Sequence, residues 1–151
     1  MTQSLSQLYV HLVFATKFRR PFIKREIKEK LISYLAGGLK NQNSPALIIN
    51  AEPEHVHILF RLSKNHALAK VVEEIKKQSS KWVKTLDSTY ANFAWQGGYA
   101  AFSVSGSAVN TVKRYIANQE EHHRKKSLKE EVETFVKEYD VIEYDPDFFW
   151  E

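Results

Sequence analysis

The chain has 151 residues, 43% hydrophobic and 13% aromatic, with no cysteine and no long apolar run. Such a composition suits one soluble domain over residues 1–151 that buries about two-thirds of its unfolded surface. It excludes disulfides, a thiolate zinc site and a cysteine nucleophile, and a membrane helix, which needs roughly 20 apolar residues. The opening MTQSLSQLYVHLVF lacks the features of a secretory signal, so a cytoplasmic protein without membrane contact is expected. The formal net charge of +4 hides a division: residues 1–126 carry 20 basic and 9 acidic side chains, whereas 127–151 carry 2 and 9. A +11 body with a −7 end suits a polyanionic partner, with the acidic segment facing elsewhere or covering basic surface. An unevenly charged solvated surface is the plain alternative.

In chain order, Leu8 to Phe14 is β-branched and aromatic enough for a buried strand. A basic turn with Lys17, Arg19 and Arg20 follows, and Pro21 opens a helical pattern in which Ile23, Ile27, Leu31 and Leu35 recur at i+4. Gly37-Gly38 is expected to end it. Ala46–Asn50 and His55–Leu62 read as strands joined by a tight turn, hence an antiparallel hairpin. A second amphipathic helix is expected over 67–84, burying Leu68, Val71, Val72, Ile75 and Trp82. Its opposite side carries a stripe of Lys70, Lys77, Lys81 and Lys84. After a loop over 87–96, Gly98–Val104 reads as a strand, and Ser105-Gly106-Ser107 offers an N-cap for one helix from Ala108 to about His122. Ser127 to Glu130 is a capping box starting a last helix that buries Leu128, Val132, Phe135 and Val136. The order β-α-β-β-α-β-α-α predicts an α+β fold: an antiparallel sheet flanked by helices, of ferredoxin-like or RNA-recognition-like type.

Chemistry concentrates in two segments. In Glu54-His55-Val56-His57, alternation along a strand projects both imidazoles from one face, where they can converge on a metal ion. Two surface histidines on a half-exposed strand are the simpler explanation of that pair alone. Glu54 should point to the opposite face. In the helix after Ala108, Tyr115 and Gln119 stack at i and i+4 beside the apolar stripe of Val109, Val112 and Ile116. A tyrosine there is by base rate an amphipathic filler; next to a metal it becomes a candidate nucleophile. Lys113 and Arg114 suit phosphate contacts. His122, two turns beyond Tyr115, suits solvent or the helix dipole better than catalysis, and His123 has less claim. His11 reads as a core or interface histidine.

These segments resemble the single-tyrosine HUH transposases of small insertion sequences, which move as single-stranded DNA. The name denotes His-hydrophobic-His, here His55-Val56-His57. The likeness extends from Tyr9–Lys17 through Glu54–Phe60 and Trp95-Gln96-Gly97-Gly98-Tyr99, then Phe102–Ser105, to Tyr115-Ile116-Ala117-Asn118-Gln119. It implies an HUH fold in which His55, His57 and Gln119 hold a divalent metal, Mg2+ or Mn2+, although imidazole softness alone favours zinc-like ions. It further implies that Tyr115 attacks a DNA phosphodiester, giving a 5′-phosphotyrosine and a free 3′-hydroxyl, so that rejoining needs no ATP or other nucleotide cofactor. The implied substrate is single-stranded DNA with hairpin ends. DNA contacts are expected from Lys17, Arg19, Arg20, Lys70, Lys77, Lys81, Lys84, Lys113 and Arg114. The resemblance also implies a homodimer, with the tyrosine helix serving its own or the partner's histidines. Competing readings are a domesticated relative processing repeated genomic hairpins, a non-catalytic single-stranded nucleic-acid-binding module, and a metallohydrolase of small phosphate esters.

Overall fold

The structure, a computed structural model, describes residues 1–151 apart from the side chains of His122 and His123, so the expectations for those two lie outside the described residues. Four strands, β1 (Leu8–Ala15), β2 (Ala46–Glu52), β3 (His55–Leu62) and β4 (Ala100–Val104), form an antiparallel sheet in the order β2-β3-β1-β4. Helices α1 (Arg25–Asn41) and α2 (Leu68–Lys84) make the crossovers; α3 (Val109–Ala117), α4 (Gln119–Lys125), α5 (Leu128–Glu138) and α6 (Pro146–Phe149) follow β4. This is the expected ferredoxin-like arrangement. Among the described residues no helix is long and apolar enough to cross a membrane.

Strand alternation sorts the sheet into two faces. Val10, Leu12 and Phe14 of β1 and Val56, Ile58 and Phe60 of β3 pack with Leu31 and Leu35 of α1 and Val71, Val72 and Ile75 of α2 in the main core. The intervening residues His11, Val13, Ala15, His55, His57 and Leu59 are buried on the other face. There Val13 and Ala15 meet Leu128 and Val132 of α5, while Leu59 meets Ile116 and Val112 of α3. The functional face is thus a second, smaller core with polar residues inserted.

Three expectations about elements need correction. Helix α1 starts at Arg25, after Pro21, and runs through Gly37-Gly38 to Asn41. It continues because Leu39 extends the buried i+4 series. No serine side chain caps α3; Ser105 and Ser107 hydroxyls bond each other instead. The helix after Ala108 is two helices, broken where Asn118 leaves the helical region (φ −99°, ψ 24°). The capping box of α5 is present, with Ser127 Oγ accepting from the Glu130 N–H at 3.2 Å.

Candidate active site

His55 and His57 stand side by side on β3, on the face away from α1 and α2, with ring centroids 5.1 Å apart. Each is held from behind. Glu54 Oε1 lies 2.9 Å from His55 Nδ1, which corrects the expectation that Glu54 faces away: it sits in the β2–β3 turn, before the strand alternation begins. His11 Nε2 lies 2.9 Å from His57 Nδ1, diagonally across the β1–β3 ladder, in which His11 pairs with Leu59 and His57 with Val13. Burial pushes the His11 pKa down from 6.5 to about 4, so the ring is neutral and its Nε2 can accept from His57. Were both Nδ1 atoms to donate backwards, both Nε2 lone pairs would face one site, the tautomers that metal ligation requires.

Helix α3 brings Tyr115 over this pair. Its ring centroid is 5.9 Å from that of His57 and 6.1 Å from that of His11. The end of α3 is fixed to the sheet by Asn50 of β2, whose Nδ2 donates to Ile116 O at 2.9 Å. One residue past the break at Asn118, Gln119 is fully buried, and its Oε1 lies 3.4 Å from His55 Nε2. The four residues expected to share a site, His55, His57, Tyr115 and Gln119, do share one, and all come from a single chain.

The structure adds Glu131. Only 2% exposed, it enters from α5, the first helix of the acidic segment. Tyr115 Oη donates to Glu131 Oε1 in a short hydrogen bond, and Gln119 Nε2 donates to the same oxygen at 3.3 Å. Its other oxygen makes no hydrogen bond among the described residues and lies 3.9 Å from His57 Nε2. Ligand atoms of His55, His57 and Glu131 all fall within 4.8 Å of one another, a geometry that could hold a cation. Burial, and then the Glu131 carboxylate, push the Tyr115 pKa well above the ordinary phenol value. At rest the Tyr115 side chain is therefore a neutral phenol. The acidic segment does not keep clear of the site, as one sequence expectation had it; it supplies a carboxylate to it. Sequence did carry a signal: Glu131 lies three residues after Leu128 and four before Phe135, inside the apolar stripe where a solvated glutamate has no place.

The cationic candidates divide. Lys113 and Arg114 are exposed on α3, on the site's side of the sheet. Lys70, Lys77, Lys81 and Lys84 are exposed on α2, which covers the opposite face, so the fold does not bring that stripe to the site. Lys70 instead pairs with Glu74 at 3.3 Å, and Lys84 Nζ donates to Ser80. Lys17, Arg19 and Arg20 lie in the turn after β1, and Trp150 covers the Arg19 guanidinium at 4.7 Å, as expected if the acidic end shields basic surface. Lys125 and Lys126, not singled out by sequence, line a cleft of about 370 Å³ that reaches Tyr115 and Glu131 between α4 and α5.

Known proteins share this fold. The family described as transposase IS200 like matches residues 4–119. The ISDra2 transposase TnpA of Deinococcus radiodurans is 21% identical over 118 residues, spanning 75% of this chain and 84% of that protein. A crystal structure of a Deinococcus radiodurans R1 protein assigned as a transposase superposes with TM-score 0.62 at 21% identity, covering 79% of this chain and 98% of that one. A REP-associated tyrosine transposase bound to a REP hairpin gives TM-score 0.58 at 15% identity, over 82% and 74%. The matched segment contains the histidine pair, Tyr115 and Gln119 but ends before Glu131. The chain belongs to the IS200-like transposase family, whose members are DNA-processing enzymes.

Proposed function

We propose that this transposase cuts and rejoins single-stranded DNA at hairpin-bearing ends, with Tyr115 as nucleophile and a divalent metal, Mg2+ or Mn2+, as cofactor. The observation that carries the reading is the convergence of a half-buried tyrosine and two buried imidazoles on one side of the sheet, 5.9 Å apart at the ring centroids of Tyr115 and His57. A base-binding module of the same fold would expose stacking aromatics on that face; here His11, His55 and His57 occupy it and are buried.

The donor set fits a cation. His55, His57 and Glu131 offer ligand atoms within 4.8 Å of one another, Gln119 Oε1 lies 3.4 Å from His55 Nε2, and Glu131 Oε2 has no hydrogen-bond donor of its own among the described residues. A bound ion would polarise a non-bridging phosphate oxygen, and the carboxylate shifts the preference from zinc-like ions toward hard ones. Attack forms the Tyr115 Oη–phosphorus bond and breaks the bond from phosphorus to the 3′-oxygen, which leaves and is protonated as a 3′-hydroxyl. Since the phenol is neutral at rest, its proton must move during attack, and Glu131 Oε1 already accepts that hydrogen bond. The 5′-phosphotyrosine conserves the phosphodiester's reactivity, so attack by a 3′-hydroxyl rejoins strands without a nucleotide cofactor.

Lys113 and Arg114, exposed on α3, and Lys125 and Lys126 beside the cleft would bind phosphates along the strand. A homodimer belongs to the same proposal: β4 is an edge strand to which a second copy can add, and Tyr115 would serve its own or the partner's histidines. The test is incubation of labelled single-stranded oligonucleotides, taken from any imperfect palindromes in the DNA flanking the gene, with the protein and Mn2+. A denaturation-resistant protein–DNA species is expected for the wild type and not for Tyr115→Phe, which should still bind the DNA. An adduct formed by Tyr115→Phe would overturn the nucleophile assignment, and a metal-dependent phosphatase activity untouched by that substitution would support a small-ester hydrolase.

A further inference from the structure

The turn between β1 and α1 holds two consecutive residues in the left-handed region: Phe18 at φ 56° and Arg19 at φ 55°. The only other non-glycine residues with positive φ among those described are Asn43 and Asp140, types that tolerate it. A phenylalanine and an arginine do not, and such strain persists only where the surroundings impose it. Here they do: Lys17 N–H donates to Ala94 O at 2.8 Å, Arg19 N–H to Thr16 O at 2.9 Å, and the Thr16 hydroxyl to Arg20 O at 2.6 Å.

The strain has a consequence for the ring. Phe14 is buried, but Phe18 is 63% exposed. Two cations flank it, with Lys17 Nζ 5.3 Å and the Arg20 guanidinium carbon 5.5 Å from its centroid. An aromatic face held in water between two long cationic side chains is what an unpaired nucleotide needs: a surface for its base and charges for its phosphates. The turn also adjoins the site. Ala15 pairs with His55 across the sheet, and Thr16 donates through both its N–H and its hydroxyl to the carbonyl of Glu54, the residue whose carboxylate holds His55.

We propose that Phe18 is a stacking platform for an unpaired base of the DNA strand beside the scissile phosphate, with Lys17 and Arg20 leaving the ring to pair with the adjoining phosphates. Arg19, covered by Trp150, takes no part in it. The inference deepens the proposed reaction and rests on single-stranded DNA being the substrate.

The test measures binding of full-length protein, in a Tyr115→Phe background to prevent cutting, to single-stranded oligonucleotides carrying 2-aminopurine at successive unpaired positions. Stacking on one aromatic corresponds to about 5- to 150-fold in affinity. Phe18→Ala should weaken single-strand binding within that range and abolish fluorescence quenching at one position, while Phe18→Tyr restores both and binding to a blunt duplex is unchanged. Phe18→Gly separates stacking from folding. Glycine accepts φ 56° without strain, so this variant should melt no lower than its parent, yet bind single strands as weakly as Phe18→Ala. Unchanged single-strand affinity and quenching in Phe18→Ala would overturn the platform. So would an equal loss on duplex DNA, or a changed oligomeric mass with unaltered DNA binding. Failure of the platform leaves the Tyr115 adduct intact, whereas a parent protein that neither binds single strands nor forms the adduct refutes both readings.

Discussion

Replacing Glu131 by Gln keeps the shape of the side chain and an acceptor for the Tyr115 hydroxyl while removing a buried charge. In the metal-free protein that carboxylate has one oxygen shared by Tyr115 and Gln119, and the other 3.9 Å from His57 Nε2 without a hydrogen bond among the described residues. Neutralisation there should alter metal-free stability by less than about 1 kcal/mol, because no formed charge pair is broken; loss of one partner of a true buried ion pair costs about 3–5 kcal/mol. The ion-bound protein should respond differently. Mn2+ at 100 times its dissociation constant stabilises by about 2.7 kcal/mol. A tenfold loss of affinity on removing an anionic ligand, about 1.4 kcal/mol, halves that gain. At roughly 2.1 cal/mol/K of unfolding entropy per residue, the Mn2+-induced rise in Tm should be about 4 °C smaller in Glu131→Gln than in the wild type. Thermal unfolding across a Mn2+ titration measures it. An identical rise in both proteins would show that Glu131 is not a ligand, and a collapse of the metal-free variant would show that the carboxylate is structural.

Other consequences are as direct. His11 titrates at about 4 in the folded chain against an ordinary 6.5, so the unfolded chain binds the extra proton between those values. Metal-free stability should be complete above pH 6.5 and fall as pH drops toward 4, by up to about 3 kcal/mol; chemical denaturation at each pH should find that slope reduced in His11→Gln. Asn50→Ala removes the tie from β2 to the end of α3 and should cost about 1–2 kcal/mol, with adduct formation slowed beyond the loss of folded protein because Tyr115 is no longer fixed over the histidines. Ser79→Ala leaves the Trp95 indole N–H without its 2.9 Å acceptor in the main core; denaturation should report a loss of about 1–3 kcal/mol with single-strand binding unaffected.

Sequence made the sheet and the site's principal residues legible because both depend on short periods. Alternation in Glu54-His55-Val56-His57 put two imidazoles on one face, and the i, i+4 spacing put Tyr115 and Gln119 together; the fold did the same. The break at Asn118 was not legible, since no proline or glycine marks it, yet Gln119 reaches His55 across it. Glu131 is not legible in the summed charge of 127–151, which suggests a segment facing elsewhere or covering basic surface; among its carboxylates only Glu131, in register with Leu128 and Phe135, is buried. The lysine stripe on α2 is exposed, as its helical spacing implies. Its side of the sheet depends on which strands the helix crosses, which local periodicity does not encode. Phe18 was invisible for a similar reason: its exposure follows from tertiary hydrogen bonds that force a left-handed turn.

The central claim is that Tyr115 becomes covalently joined to DNA. Mass spectrometry of proteolysed wild-type protein, after reaction with a hairpin-bearing single strand and Mn2+, tests it most directly. The account predicts a peptide spanning Tyr115 that carries a 5′-phosphate-linked nucleotide on the phenolic oxygen, with a free 3′-hydroxyl on the released strand. DNA attached at another residue, or cleaved strands bearing 5′-phosphates with Tyr115 unmodified throughout the reaction, would contradict it.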